Sequence, residues 1–170
     1  MADVLMVIAP DQFRDEEYAV PKDILEERGA RVVTGSVAPG PCRGKLGLMA
    51  MADVGLDEVD HADYDAVVFV GGAGSNVFFD DVVAHALVRA AHDSGRILGA
   101  ICIAPSILAH AGILRGRRVT SFPSQREDLE AHGAVVTDAP VEVDGRIVTA
   151  CGPEAAHDFG TALADALGLP

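Results

Sequence analysis

Residues 96–112, RILGAICIAPSILAHAG, decide the fold of this chain. Ile97 to Ile101 is a continuous apolar run, which is typical of a parallel strand buried on both faces. Pro105 stands where the first turn of a helix tolerates proline, and Gly112 stands where a helix ends. The stretch therefore predicts a strand, a sharp turn that holds Cys102, and a helix.

Cys102 on this turn has the position of the nucleophile in a nucleophile elbow. There a side chain is held off the sheet near the positive end of a helix, where the helix dipole stabilises a thiolate by roughly 0.3–1 kcal/mol. A lowered thiol pKa is the expected consequence. A cysteine in an apolar run is more often a small buried hydrophobe, so the turn alone leaves both interpretations open.

Length, composition and charge define the class of protein. With 170 residues, 49% of them hydrophobic, residues 1–170 are sufficient for one domain with a sizeable core. The first apolar run is short, contains Asp3 and lacks the basic start of a signal peptide, so we expect a cytoplasmic protein. Three cysteines, an odd number, argue against a disulfide framework. The formal net charge of −13 repels nucleic acid and anionic membranes, and we expect neither as a partner.

Apolar runs alternate with helical patterns along most of the chain, which predicts a mostly parallel sheet with helices on both faces. Strands are predicted over Val4–Ala9, Arg31–Ser36, Tyr64–Val70, Ile97–Ile101 and Val119–Ser121, with a hairpin over Val141–Ala150 that turns at Asp144-Gly145. Helices are predicted from Lys22 to Gly29 and over Asp80–Ser94, Gln125–Ala131 and Pro153–Leu167. Ala38–Gly47 is predicted as a loop that holds Cys42, and Leu48–Leu56 as short strands or a hairpin.

Two further segments follow predicted strands. The acidic stretch 11–21, DQFRDEEYAVP, is interpreted as a loop at the carboxyl edge of the sheet or as a solvated helix start. The stretch 71–76, GGAGSN, permits a tight turn and the close approach of another group. Val77 stands where a dinucleotide motif has its third glycine, and no Gly-Lys-Ser/Thr follows, so nucleotide binding is not expected.

Taken together, these segments resemble the ThiJ/PfpI superfamily, which has the class I glutamine-amidotransferase-like fold. The similarity covers nearly the whole chain and includes EEYAVP, FVGGAGS, GAICIAPSILAHAGILRGRRVTSFP, VDGRIVTACGP and the C-terminal helix. It implies an α/β protein with one domain over residues 1–170. The expected architecture is a flavodoxin-like three-layer sandwich, with a mostly parallel sheet between helices and the nucleophile elbow at the carboxyl edge.

The same resemblance implies the residues of the site. Cys102 matches the family's reactive nucleophile, and Glu17 matches a glutamate that hydrogen-bonds its sulfur. The backbone N–H groups of Gly72 and Ile103 match an oxyanion site. Further residues expected to line the site are Gly71, Phe122, Cys151 and His157. We expect no metal and no cofactor.

Two departures from the family pattern argue against proteolysis. Ile103 stands where protease-like members carry a histidine directly after the cysteine, and Phe122 stands where glyoxalase-like members carry one before a proline. Attack on an amide needs general acid–base help worth about 10²–10⁴-fold, which a thiolate alone lacks.

Three functions remain open. The first is a glyoxalase- or deglycase-like enzyme in which Cys102 attacks a small carbonyl compound and Glu17 shuttles the proton. The second is a non-enzymatic thiol redox sensor or stress-protective protein, and the third, disfavoured, is a small amide hydrolase or protease-like enzyme. In each case Cys102 and Glu17 are expected to share one proton, held on Glu17. Because the family commonly dimerises, we also expect a homodimer.

The charge pattern predicts salt-dependent folding. Acidic residues outnumber basic ones by 26 to 13, and only Lys22 and Lys45 are lysines, which is typical of a halophilic protein. Dialysis into salt-free buffer removes the screening of like charges, so we expect the far-UV circular dichroism of the folded state to be lost and to return in molar KCl. An unchanged spectrum after dialysis would count against a halophilic source.

Overall fold

A computed structural model describes residues 1–170. The strands are β1 Asp3–Val7, β2 Asp11–Phe13, β3 Arg31–Ser36, β4 Gly40–Gly44, β5 Met49–Ala52, β6 Val54–Gly55, β7 Ala66–Phe69, β8 Ile97–Ile101, β9 Arg118–Val119, β10 Val135–Val136, β11 Val141–Asp144 and β12 Ile147–Ala150. The helices are α1 Asp15–Glu27, α2 Val82–Asp93, α3 Pro105–His110, α4 Arg126–Ala131 and α5 Ala156–Ala166. None of them is both long and apolar enough to cross a membrane.

The central sheet has seven strands in the order β11-β12-β8-β7-β1-β3-β6. Every neighbouring pair is parallel except β11 and β12, which form the predicted antiparallel hairpin. All residues of β7 and β8 are buried, as their continuous apolar sequences predict. Helices α1 and α5 pack against each other, as do α2 and α3. The predicted α/β sandwich with a mostly parallel sheet is therefore confirmed.

The strand order places a switch point between β1 and β7. From β1 the chain continues to β3 on one side of the sheet, whereas β7, β8 and β12 extend it on the other. Loops that follow parallel strands lie at their carboxyl ends, and α/β proteins bind ligands at such switch points. The segments after β1, β7 and β8 are therefore brought to one place, and the last of them contains Cys102.

The prediction of a loop over Ala38–Gly47 is wrong, because β4 occupies part of it. Strand β4 pairs antiparallel with β5 and parallel with β2 in a separate three-stranded sheet. Cys42 is buried within β4, while Pro41 and Arg43 are exposed on either side of it. The alternation of a strand is present, but proline and glycine at neighbouring positions hide it from a reading of the sequence.

The first helix also begins earlier than predicted. It starts at Asp15 instead of after Pro21, so the acidic stretch is a helix start, the second of its two interpretations, and Glu17 lies in the first helical turn. Acidic residues fill this first turn, where free backbone N–H groups favour them. Pro21 lies inside the helix and removes one backbone hydrogen bond. Its backbone packs so closely on α5 that only a glycine, Gly160, fits opposite it.

Gly160→Ala tests this packing of α5 on α1. A Cβ atom at residue 160 would lie 2.9 Å from the Cα atom of Pro21 and 2.9 Å from Cδ1 of Ile24. The overlap outweighs the advantage of about 1 kcal/mol that alanine has over glycine in a helix. We therefore expect the free energy of unfolding, measured by urea denaturation, to fall by about 1–3 kcal/mol.

Asp158→Ala is the matched control, because Asp158 lies on the same helix with 73% of its side chain exposed. Since Asp158 is an acidic residue in the first turn of α5, its loss should lower the free energy of unfolding by at most about 1 kcal/mol. Equal effects of the two substitutions would contradict the close packing at Gly160.

Candidate active site

Cys102 occupies a sharp turn between β8 and α3. Its backbone φ is 66°, in the left-handed region that non-glycine residues rarely adopt, at a cost of roughly 1–3 kcal/mol. Two backbone hydrogen bonds hold the turn: the N–H of Cys102 donates to the carbonyl of Ala150 at 2.9 Å, and the N–H of Phe122 donates to the carbonyl of Cys102 at 2.8 Å. This strained geometry is that of a nucleophile elbow.

Glu17 lies beside Cys102 and is completely buried. Neither of its carboxyl oxygens has a partner at hydrogen-bonding geometry. Gly71 lies next to both side chains. A Cβ atom at residue 71 would overlap Oε1 of Glu17 and lie 2.6 Å from Cβ of Cys102. The absence of a side chain at residue 71 is therefore what allows the carboxyl group and the thiol to meet.

Burial controls the proton affinities of this pair. It raises the pKa of Glu17 to about 7, although the nearby Cys102 thiol and Gly71 N–H act in the opposite direction. Burial also raises the pKa of Cys102, which together with the negative charge of the adjacent Glu17 brings it to about 12. These directions are opposite to the lowered thiol pKa predicted from the elbow. Across neutral and mildly alkaline pH the two groups together hold one proton, and the same directions favour the Cys102 sulfur as its position, whereas the sequence predicted that Glu17 holds it.

Two backbone N–H groups face the sulfur of Cys102. They belong to Gly72 and Ile103, and both favour the thiolate, although less strongly than burial and Glu17 oppose it. Gly72 has a φ of 97°, and a Cβ atom there would overlap the backbone of Gln12 and Arg14. The structure thus brings Gly72 and Ile103 to Cys102, where the family resemblance places an oxyanion site.

A cleft of about 420 Å³ opens onto Cys102. Of the residues expected at the site, it is lined by Glu17, Cys102, Gly72, Ile103 and Phe122. The remaining lining residues were not predicted as site residues: Arg14, Lys45, Ala73, Asn76, Ser124, Gln125 and Pro153. No histidine is among them, so Glu17 is the one side chain at this cleft suited to act as a base near neutral pH.

Comparison with known proteins now identifies the fold and the family. Residues 2–166 match the DJ-1/PfpI family. This chain belongs to that family. A ThiJ/PfpI domain protein from Brachyspira murdochii has the same fold, with a TM-score of 0.96 and 35% identity over 98% of this chain and 96% of that one.

Relatives from distant organisms share most of the chain. A deglycase of Thermococcus kodakarensis is 34% identical over 149 residues, which cover 88% of this chain and 90% of that protein. The dj-1beta protein of Drosophila melanogaster is 30% identical over 165 residues, which cover 96% of this chain and 88% of that protein. The resemblance to the ThiJ/PfpI superfamily is therefore confirmed.

Three residues expected to line the site of this DJ-1/PfpI protein do not line the cleft. Gly71 lies behind it, between Glu17 and Cys102, and the other two are Cys151 and His157. Cys151 lines a separate cavity of about 220 Å³, and its thiol donates to Oε1 of Glu154 at 3.5 Å. Burial and the neighbouring Glu154 raise its pKa. His157 has 75% of its side chain exposed and does not line the cleft. From this turn it is Pro153 that lines the cleft.

The additional lining residues come from segments that the sequence analysis interpreted in other ways. Lys45 directly follows β4, in the stretch predicted as a loop. Asn76 lies in the glycine-rich segment 71–76, for which the sequence predicted a tight backbone turn but no side chain at the site. Gln125 is oriented by two hydrogen bonds, since it donates to Oγ of Ser106 at 2.8 Å and accepts from Oγ of Ser124 at 2.9 Å.

Glu17→Gln tests the burial of an ionisable carboxyl group. Since the folded state binds the Glu17 proton more tightly than the unfolded state, the wild type loses stability as the pH rises from the ordinary pKa of 4.5 to about 7. Glutamine has no charge to bury. Relative to the wild type, the free energy of unfolding of the variant should therefore rise by up to about 3 kcal/mol between about pH 4 and pH 8.

Urea denaturation at the two pH values measures this difference, and Glu16→Gln is the matched control. The guanidinium of Arg14, 3.0 Å away, holds the pKa of Glu16 below its ordinary value. Glu16→Gln should therefore lose stability relative to the wild type over the same rise in pH. If Glu17→Gln behaves in the same way as Glu16→Gln, the carboxyl group of Glu17 is not buried as described.

Proposed function

We propose that this protein is an enzyme acting on small carbonyl compounds, with a deglycase-like or glyoxalase-like activity. The observation that carries the proposal is the buried Cys102–Glu17 pair, which holds one proton at the base of a cleft of small-molecule size. Relatives from Thermococcus kodakarensis, Pyrococcus abyssi and Pyrococcus horikoshii are named deglycases, which supports the same class of substrate.

The proposed first step is the addition of Cys102 to an aldehyde. As the sulfur bonds to the carbonyl carbon, the carboxylate of Glu17 accepts the thiol proton and the C=O electron pair moves to oxygen. A pKa of about 7 suits Glu17 to this role, since a general base acts best when its pKa lies near the operating pH. Glu17 then returns the proton to the new oxygen, giving a hemithioacetal.

Backbone donors support this step. The N–H groups of Gly72 and Ile103 face the sulfur of Cys102 in the free protein. When the sulfur attacks a carbonyl carbon, the same two groups are next to the carbonyl oxygen. Donors fixed in a buried site stabilise a developing oxyanion, and removing one such donor typically costs about 10²–10³-fold in rate. On the open side of the cleft, Arg14 and Lys45 supply positive charge for a substrate that also carries an anionic group.

The two alternative functions have less support. A peroxide sensor needs a readily formed thiolate, whereas burial and the adjacent Glu17 raise the pKa of Cys102. An amide hydrolase must protonate a leaving nitrogen, and no histidine lines the cleft to do so. The homodimer expected from the family resemblance stays a prediction.

Consumption of methylglyoxal by purified protein tests the proposal. Cys102→Ser should abolish turnover, and Glu17→Gln should lower kcat by about 10²–10⁴-fold because the general base is lost. For the wild type, kcat/KM should rise with pH through about 7, as the Glu17 carboxyl ionises.

Cys151→Ser is the control, since Cys151 lies outside the cleft, and it should retain wild-type rates. Turnover that survives in Cys102→Ser would exclude covalent addition by this cysteine. A wild type that does not consume methylglyoxal, but gains a sulfinate on Cys102 in mild peroxide, would favour the redox sensor instead.

A further inference from the structure

Two histidines and an aspartate converge where the end of α3 meets α4. His110 is the last residue of α3, Asp128 lies in α4, and His132 directly follows α4. One ring nitrogen of each histidine and one carboxylate oxygen of Asp128 lie within 4.8 Å of one another. All three side chains are partly buried, and none of them lines the Cys102 cleft.

The helices hold these side chains in place. Asp128 and His132 are four residues apart, so a helical turn presents them on the same face. The rings of His110 and His132 stack with their centroids 4.7 Å apart and their planes at 25°. The ring of Phe79 packs edge-on against His110 at 5.9 Å. The cluster is therefore built on packed elements and not on a loose surface loop.

Hydrogen bonds around the cluster orient both imidazole rings. Nε2 of His110 lies 2.8 Å from Oδ2 of Asp128, and its Nδ1 lies 2.8 Å from Oδ1 of Asp80. Nδ1 of His132 lies 2.8 Å from the backbone carbonyl of Asp128. Histidines that ligate metals characteristically use their second nitrogen to contact a carboxylate or a backbone carbonyl. For His110, Asp80 fills that outer position and leaves Nε2 directed into the cluster.

We propose that His110, Asp128 and His132 bind a divalent transition-metal ion, with Zn²⁺ as the representative of the class. Two imidazoles and one carboxylate are a ligand set that zinc uses, and they leave a fourth position for water. Two ligand atoms that each lie about 2.1 Å from a tetrahedral zinc ion are about 3.4 Å from each other. The donor atoms here lie within 4.8 Å of one another, so each distance between them must shorten by at most about 1.5 Å. Side-chain rotation is sufficient for this, and the ion replaces a proton shared within the cluster.

A metal ion here would link α4 to the helix that follows the nucleophile elbow. The buried hydroxyl of Ser106, in the second position of α3, lies near Asp128 and helps to lower the pKa of that carboxyl group. The same hydroxyl accepts the hydrogen bond from Gln125, which lines the Cys102 cleft. The site is thus separate from the proposed catalytic pair, but Ser106 lies between Asp128 and Gln125 on the wall of the cleft.

Metal titration of the full-length protein, first stripped with EDTA, tests the proposal. Isothermal titration calorimetry with ZnCl₂ should show one equivalent bound. Asp80→Asn should weaken binding by about 10–100-fold, as expected for loss of an outer partner, and Asp128→Asn and His132→Gln should weaken it further. Co²⁺ should give the visible absorption of nitrogen and oxygen ligation without the intense near-ultraviolet band of a thiolate ligand.

His157→Gln and Cys151→Ser are the controls and should bind Zn²⁺ as the wild type does. Circular dichroism checks folding, and Asp80→Asn carries the test if an inner ligand variant fails to fold, since 87% of the Asp80 side chain is exposed. The proposal is overturned if the wild type binds no Zn²⁺ at millimolar concentration, if Asp80→Asn and His132→Gln bind with wild-type affinity, or if the Co²⁺ spectrum reports thiolate ligation.

Discussion

The burial of Glu17 against Cys102 is the contact on which the rest of the site depends. A buried polar group without a hydrogen-bond partner typically costs about 1–3 kcal/mol, so other parts of the fold must hold it in place. Helix α1 does so from one side, because Pro21 packs on Gly160 of α5. Gly71 does so from the other, because it has no side chain to keep the two groups apart. The packing of α1 on α5 is thus part of the site, although it lies outside the cleft.

The parts of the fold predicted correctly are those encoded in short, continuous stretches of sequence. Strand β8 and the turn at Cys102 follow from an apolar run, a proline and a glycine within 17 residues of sequence. The hairpin of β11 and β12 is predicted from Asp144-Gly145, and the structure contains the hairpin with its turn shifted by one residue: Asp144 pairs with Ile147 at the end of β11, and Gly145, at a φ of 59°, and Arg146 form the turn. In both cases the deciding interactions are local, so the sequence alone reveals them.

The errors arose where distant segments determine the outcome. Strand β4 forms because β2 and β5 pair with it, and its own proline and glycines argue against a strand. Helix α1 continues through Pro21 because α5 packs on it. The cluster of His110 and His132 was missed because the two residues belong to different helices; the four-residue spacing of Asp128 and His132 was its one local signal. Packing between segments made each of these features, and no single stretch of sequence contains that information.

The pKa of Cys102 also depends on contacts between distant segments, so the sequence alone does not predict it. Its raised pKa restricts the reactions that the site can support. The elbow and its two backbone N–H groups favour a thiolate, but burial and Glu17 oppose it more strongly. With Glu17 as the one carboxyl group and no histidine in the cleft, the Cys102–Glu17 pair has a single proton to move between sulfur, carboxylate and substrate. Addition of a thiol to an aldehyde needs only that proton, because it leaves the sulfur and ends on the new oxygen. Cleavage of an amide must also deliver a proton to the departing nitrogen while the acyl group stays on sulfur, and must then activate water. The single proton of the pair therefore suits the first, addition step of the proposed carbonyl chemistry better than it suits attack on an amide, independently of the names of the relatives.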